Sequence, residues 1–163
     1  MSPWLRRTGI SFLAAITGCH SALAPAAPDV RVTVSKIDVL RTESWAGLTI
    51  DYEVENRGAE LVIRVGCGSR LLRQSADSSW ARVYQEACSA GGTSAAGTTL
   101  LPGERRTLHG SAMVSTIHWP RTYWPLTGLA GRYRYEVNIR SRGVIIPAEM
   151  RTTPPFEVQD PAR

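Results

Sequence analysis

Of the 19 Lys and Arg residues only Lys36 is a lysine, and no run of basic residues is longer than two. A formal net charge of +5 spread this thinly is a solvated surface, not the clustered footprint of a nucleic-acid binder. Motifs of catalysis are equally scarce. Neither HExxH nor GxSxG occurs, Gly91-Gly92 is not followed by the Lys-Ser/Thr of a phosphate loop, and His20, His109 and His118 lack the spacing of a zinc site. No CxxC is present, and no His lies close to Cys67 or Cys88. These absences give no catalytic residue, no metal ligand set and no cofactor motif. There is no internal repeat and no amphipathic helical stretch, so the chain does not read as a bundle or a solenoid. The apolar run Thr8 to Gly18 is about eleven residues, short of the roughly 20 that cross a bilayer as a helix.

That run has another reading. It follows the basic start Trp4-Leu5-Arg6-Arg7 and ends in Ile16-Thr17-Gly18-Cys19, the basic, apolar, small-residue order of an export signal. Ile16-Thr17-Gly18-Cys19 resembles the lipobox of bacterial lipoproteins, which implies that residues 1–18 are removed and that Cys19 is acylated as the first residue of the mature chain. More than one acyl chain would make the attachment stable, at about 0.8 kcal/mol per buried methylene. His20 stands where an Asp would retain a lipoprotein on the inner membrane; the family rule therefore implies the outer membrane, facing the periplasm. The alternative is a secreted or soluble periplasmic protein, cleaved at Ala22-Leu23-Ala24 or Ala24-Pro25-Ala26. Residues 19–29 read as a tether.

Loss of the signal, with Arg6 and Arg7, leaves about 145 residues and a formal excess of +3, enough for one domain with a real core. It also leaves Cys67 and Cys88. In an exported chain these are expected to pair, closing a loop of about 20 residues and contributing about 3 kcal/mol. A metal or redox site is the alternative, with no further ligands nearby.

Residues 30–158 show strand alternation throughout. Val30, Val32 and Val34 open it; Leu48, Ile50, Tyr52 and Val54 share one face of the next run. Asn56-Arg57-Gly58 supplies turn residues, and Leu61, Ile63, Val65 and Cys67 continue the pattern, which predicts a hairpin between these two runs. Leu71-Leu72 and Trp80 to Tyr84 predict two more strands. Ser89 to Thr99 is uncharged and aperiodic, and is expected to be a mobile loop. Leu101-Pro102-Gly103-Glu104 marks a turn, Arg106 to Ile117 one long or two short strands, and Gly131 to Arg140 a strand with Tyr133, Tyr135, Val137 and Ile139 inward. Val144 to Ile146 and Phe156 to Val158 follow, with Pro147, Pro154 and Pro155 suited to edges; residues 159–163 are a tail.

The expectation is an all-β, Ig-like antiparallel sandwich of seven to nine strands with one disulfide. The order Glu55-Asn56-Arg57-Gly58, Gly66, Trp80, Leu101-Pro102-Gly103-Glu104 and Gly131-Arg132-Tyr133-Arg134 resembles BsuPI-type proteinase-inhibitor domains and related Ig-like envelope modules. That resemblance spans roughly residues 45–140 and implies the sandwich more than an activity.

The segment that invites a binding role is Trp119-Pro120-Arg121-Thr122-Tyr123-Trp124-Pro125-Leu126. Aromatic residues and Arg are what buried interface anchors are enriched in, so Trp119, Arg121, Tyr123 and Trp124 are candidate contacts to an envelope protein or a glycan. The alternative is that Trp119 and Trp124 cap the core. Trp45 is expected in a loop before the first strong strand, and Trp80 in core or rim packing. The functional expectation is a lipid-anchored, non-enzymatic binding or structural domain that reaches the membrane through Cys19. A protease inhibitor presenting residues 119–126 is the alternative.

Overall fold

The computed structural model describes residues 27–41, 45–64, 67–87, 97–115 and 128–159. Within these the chain forms eleven strand segments and one helical turn. Strands β1 (Val30–Arg41), β2 (Trp45–Asn56) and β7 (Arg105–Ser115) make one antiparallel sheet in the order β1-β2-β7. A second sheet contains β3 (Leu61–Ile63), β6 (Thr98–Leu100), β9 (Ile139–Ser141) and β10 (Val144–Ile145), in the order β10-β9-β3-β6. The third contains β4 (Arg70–Gln74), β5 (Trp80–Gln85), β8 (Gly131–Glu136) and β11 (Phe156–Val158), in the order β11-β8-β4-β5. The helical turn α1 (Ala148–Arg151) links the last two strands.

Period-two alternation sets what is buried. Leu48, Ile50, Tyr52 and Val54 on β2 are fully buried, as are Tyr133, Tyr135, Val137 and Ile139. Successive side chains of a strand point to opposite faces, so each set presents one apolar face to a common core with Leu61, Ile63, Leu71 and Leu100. Tyr52 and Tyr135 meet there with ring centroids 5.3 Å apart.

Several details depart from the sequence pattern. The run from Gly131 to Arg140 does not pair as one strand. It breaks at Val137-Asn138, so β8 pairs with β4 and β9 with β3. Arg64 N–H donates to the Asn138 carbonyl at 2.9 Å, and Asn138 Nδ2 donates to the Cys67 carbonyl at 2.8 Å. A buried backbone must find partners, and this Asn supplies them where the ladder is interrupted. The segment count rises to eleven for this reason, and because Thr98–Leu100, placed largely in the expected mobile loop, pairs with β3 through Leu61↔Leu100.

The expected hairpin between β2 and β3 does not form; β2 pairs with β1 and β7, and β3 with β6 and β9. Asn56 diverts the chain. Fully buried, it donates from Nδ2 to the Leu100 carbonyl at 2.9 Å and accepts at Oδ1 from Gly58 N–H at 3.0 Å. Its backbone bonds Glu104 and Gly103, which ties the turn to the start of β7 and releases β3 to another sheet. Gly103, at φ +83°, makes that turn possible. Trp45 opens β2 and does not lie in a loop. Cys67 sits in an irregular segment beside Gly68 at φ +75°, not on a continuing strand. The last tether residues are bonded to the domain, since Arg57 N–H donates to Asp29 O and Ala59 N–H to Ala27 O.

Candidate functional site

The sequence-predicted contacts Trp119, Arg121, Tyr123 and Trp124 lie outside the described residues, as do Cys19, Cys88 and His118. His109 is exposed on β7 and pairs with Asp51 of β2 at 2.7 Å. Glu53 and Glu55 share the solvent face of β2, where Arg105 reaches both and Arg57 bonds Glu55 at 2.8 Å. The Arg57 hydrogen bond is the main reason the Glu55 carboxyl is held below its usual range. This is a balanced ionic surface.

Two other places carry more chemistry. The first is an open groove of about 610 Å³. Leu72 of β4, Trp80 of β5, and Arg134 and Glu136 of β8 line one part of it; Ala148 to Met150 and Thr152 to Pro154 line another, and Val30 to Val32 of β1 the rest. The pairing order explains why Trp80 and Arg134 meet. Leu72 stands between Arg134 and Arg82 in the ladder, and alternation turns Arg134 away from the buried Tyr133 and Tyr135. The Arg134 guanidinium then lies 4.3 Å from the Trp80 ring centroid, an arrangement worth about 0.5–2 kcal/mol depending on desolvation.

Below this pair is a latch. Glu136 Oε1 accepts from Arg151 Nη1 at 2.7 Å and from Arg70 Nη1 at 3.3 Å. Arg151, itself buried, also donates from Nε to Ile146 O at 2.8 Å and from Nη1 to Val137 O at 3.1 Å. These bonds hold α1 against the sheet and fix one wall of the groove.

The second place is internal. Glu86, just after β5, is 6 % exposed. It accepts at Oε1 from the Tyr135 hydroxyl at 3.1 Å, while its Oε2 and the Tyr52 hydroxyl have no partner. Burial pushes the Glu86 carboxyl up, against the opposing pull of hydrogen bonds from Tyr135, Ser69 and Ser111. Burial likewise raises both tyrosine hydroxyls, and the nearby Glu86 charge adds to this. Gly110 lies against the Tyr135 hydroxyl, and a Cβ there would overlap it.

No family model and no curated protein matches the chain. Among the solved structures that align with it are two of low sequence identity. One is a crystal structure described as ApaA from Bordetella pertussis, with 16 % identity, 80 % of this chain and 87 % of that chain covered, and a TM-score of 0.39. The other, structural-genomics target SoR45, has 12 % identity, 85 % and 88 % coverage, and a TM-score of 0.39. At these scores neither bears on the fold or function of this chain. The resemblance to BsuPI-type domains therefore rests on its own motifs.

Sequence reasoning missed both places. Trp80 and Arg134 were legible only as a strand start and a polar residue between tyrosines. Glu86 looked like any carboxylate following a strand, and its burial depends on residues far along the chain.

Proposed function

We propose that the chain is a lipid-anchored envelope protein, attached through acylated Cys19, whose Ig-like sandwich binds a partner through the Trp80–Arg134 groove. The observation that carries the binding role is the stacking of Arg134 on Trp80 at 4.3 Å within an open groove. Stacking holds the guanidinium in one orientation before a partner arrives, and preorganisation lowers the cost of binding. Anchoring fits the same role. Seven residues lie between Cys19 and Ala27, where the chain is already bonded to the domain, a reach of at most about 30 Å when extended, so the domain would stay near the membrane and a weak contact would gain from high local concentration. The sandwich is supported by the shared core of the sheets. The Cys67–Cys88 bridge is supported by the burial of Cys67, which is 6 % exposed.

Metabolic labelling with an alkyne fatty acid tests the anchor, with label expected on wild type and lost in Cys19→Ala; equal labelling refutes it. Crosslinking in intact envelopes tests the groove, with partner bands expected to vanish in Trp80→Ala/Arg134→Ala. Unchanged bands refute the groove.

A further inference from the structure

Resting on the reading of Cys19 as a lipid anchor, we infer that the end of the domain where the tether enters lies on the bilayer surface, with Leu101 and the pair Val144-Ile145 entering the lipid interface on either side of it. Its basis is where the exposed apolar side chains fall. Among the described residues the large hydrophobic side chains left exposed are Leu101, Val144 and Ile145, at 50 %, 70 % and 45 %. Scattered singly they would need no explanation, but all three belong to one end. The chain reaches the domain at Ala27, whose carbonyl accepts from Ala59 N–H, and Ala59-Glu60 leads directly into β3. In the sheet order β10-β9-β3-β6, that strand has β6, with Leu101 just after it, on one side and the β9–β10 hairpin on the other. Ser141 Oγ donates to Glu60 O at 3.3 Å, which brings the hairpin tip beside the tether's entry. Three strand spacings put the two apolar points roughly 14 Å apart, and the tether comes in between them.

The backbone holds both points in place. Arg142 at φ +51° and Gly143 at φ +80° make the two-residue hairpin turn, which Arg140 Nη1 fixes by donating to Gly143 O at 2.9 Å. Leu101 opens a turn closed by Glu104 N–H to Leu101 O at 3.1 Å and tied to Asn56 O by Gly103 N–H at 2.8 Å. The contact therefore needs little new ordering of the chain. The small apolar area favours lipid over protein. A stable protein interface buries about 800 Å² per partner in one complementary patch, far more than three side chains on two turns supply. A bilayer needs no matching shape, and a few apolar side chains suffice where an acyl anchor already holds the chain at the surface. Strand addition at β10 is disfavoured, because that edge is two residues long and Pro147, which has no N–H, follows closely. Charges of both signs share this end, with Arg57 bonded to Glu55 and Glu60 beside the Ser141-Arg142 tip, so no preference for anionic lipid is expected.

The test uses the acylated mature chain in phosphatidylcholine vesicles, with a polarity-sensitive NBD label on Pro102→Cys, on Arg142→Cys or on Ala76→Cys; wild type carried through the labelling gives the background. Ala76 is the control, since β3 and β4 pair in turn with β9 and β8 and carry the chain from Glu60 to the Ser75–Ser79 turn at the other end. Labels at the first two sites should shift to the blue and be quenched by doxyl groups on the acyl chains, whereas the label on the control should be quenched by iodide from the water. Adding Leu101→Asp/Val144→Asp should return the Arg142→Cys label to water with the protein still anchored. Including phosphatidylglycerol should change neither signal. The proposal is overturned if the first two labels behave as the control does, or if they leave water only when anionic lipid is present. Shielding from iodide without doxyl quenching also overturns it, and points to a second copy covering this end. Where Cys19 carries its acyl label, each of these results defeats the contact and leaves the anchor standing; a Cys19 without an acyl group defeats both.

Discussion

Lower pH is expected to stabilise this domain through Glu86, because folding buries its carboxyl and makes the charged form costly relative to the neutral acid. The carboxyl is 6 % exposed, and its Oε2 lies in the core without a hydrogen-bond partner. Desolvation is the largest influence on it and raises its pKa above the ordinary value. The sign follows from proton binding. A folded state that holds a proton more tightly than the unfolded chain gains stability as pH falls through the folded pKa. The gain is complete below the unfolded value and is lost as pH rises. An unsatisfied buried acceptor costs about 1–3 kcal/mol, which for about 145 residues corresponds to roughly 3 to 12 °C in Tm; only part of this is gained by pH 5, which lies above the unfolded value. The measurement is thermal unfolding followed by tryptophan fluorescence between pH 7.5 and pH 5, in wild type and Glu86→Gln. Gln keeps a carbonyl for the Tyr135 hydroxyl but cannot ionise. Glu55 and Asp77, both held below the usual carboxylate range by hydrogen bonds from Arg57 and Ser79 respectively, lose their contribution only at lower pH, outside this window. Wild-type Tm should rise toward pH 5 relative to Glu86→Gln. Parallel profiles for the two proteins would refute the argument.

Three further outcomes follow from the packing. Gly110→Ala should destabilise by about 1–3 kcal/mol, because the added methyl overlaps the Tyr135 hydroxyl inside a filled core; chemical denaturation reads this, and an unchanged midpoint would show that Tyr135 can move aside. Arg151→Ala should cost about 3–5 kcal/mol, since it strips a buried partner from Glu136, leaves the Ile146 carbonyl without its side-chain donor and leaves the Val137 carbonyl with the Ile139 N–H alone; adding Glu136→Gln should restore part of the loss. With the proposed Cys67–Cys88 bridge in place, Cys67→Ser/Cys88→Ser should lower stability by about 3 kcal/mol, and thiol counting on the denatured protein should find neither cysteine free in the wild type.

What the sequence by itself determined is which side chains face inward. Alternation is a local property of an extended backbone, and it placed Leu48, Ile50, Tyr52 and Val54 on one buried face, and Tyr133, Tyr135, Val137 and Ile139 on another. Pairing is not local. The run Leu61 to Ile63 presents the same apolar face to any neighbour, and only the buried Asn56, bonded to Leu100 forty-four residues later, sends it to β6 and β9 in place of β2. The groove depends on the same long-range choice. Trp80 and Arg134 read separately as a strand start and a solvent-facing cation, and they become a stacked pair because β4 lies between β5 and β8. Glu86 is the sharpest case: nothing beside it in the chain marks it as buried, and its environment is assembled from Ser69, Ser111 and Tyr135 on three different strands or their flanks. Only tertiary structure removes a carboxylate from water, because desolvation is set by whatever closes over it.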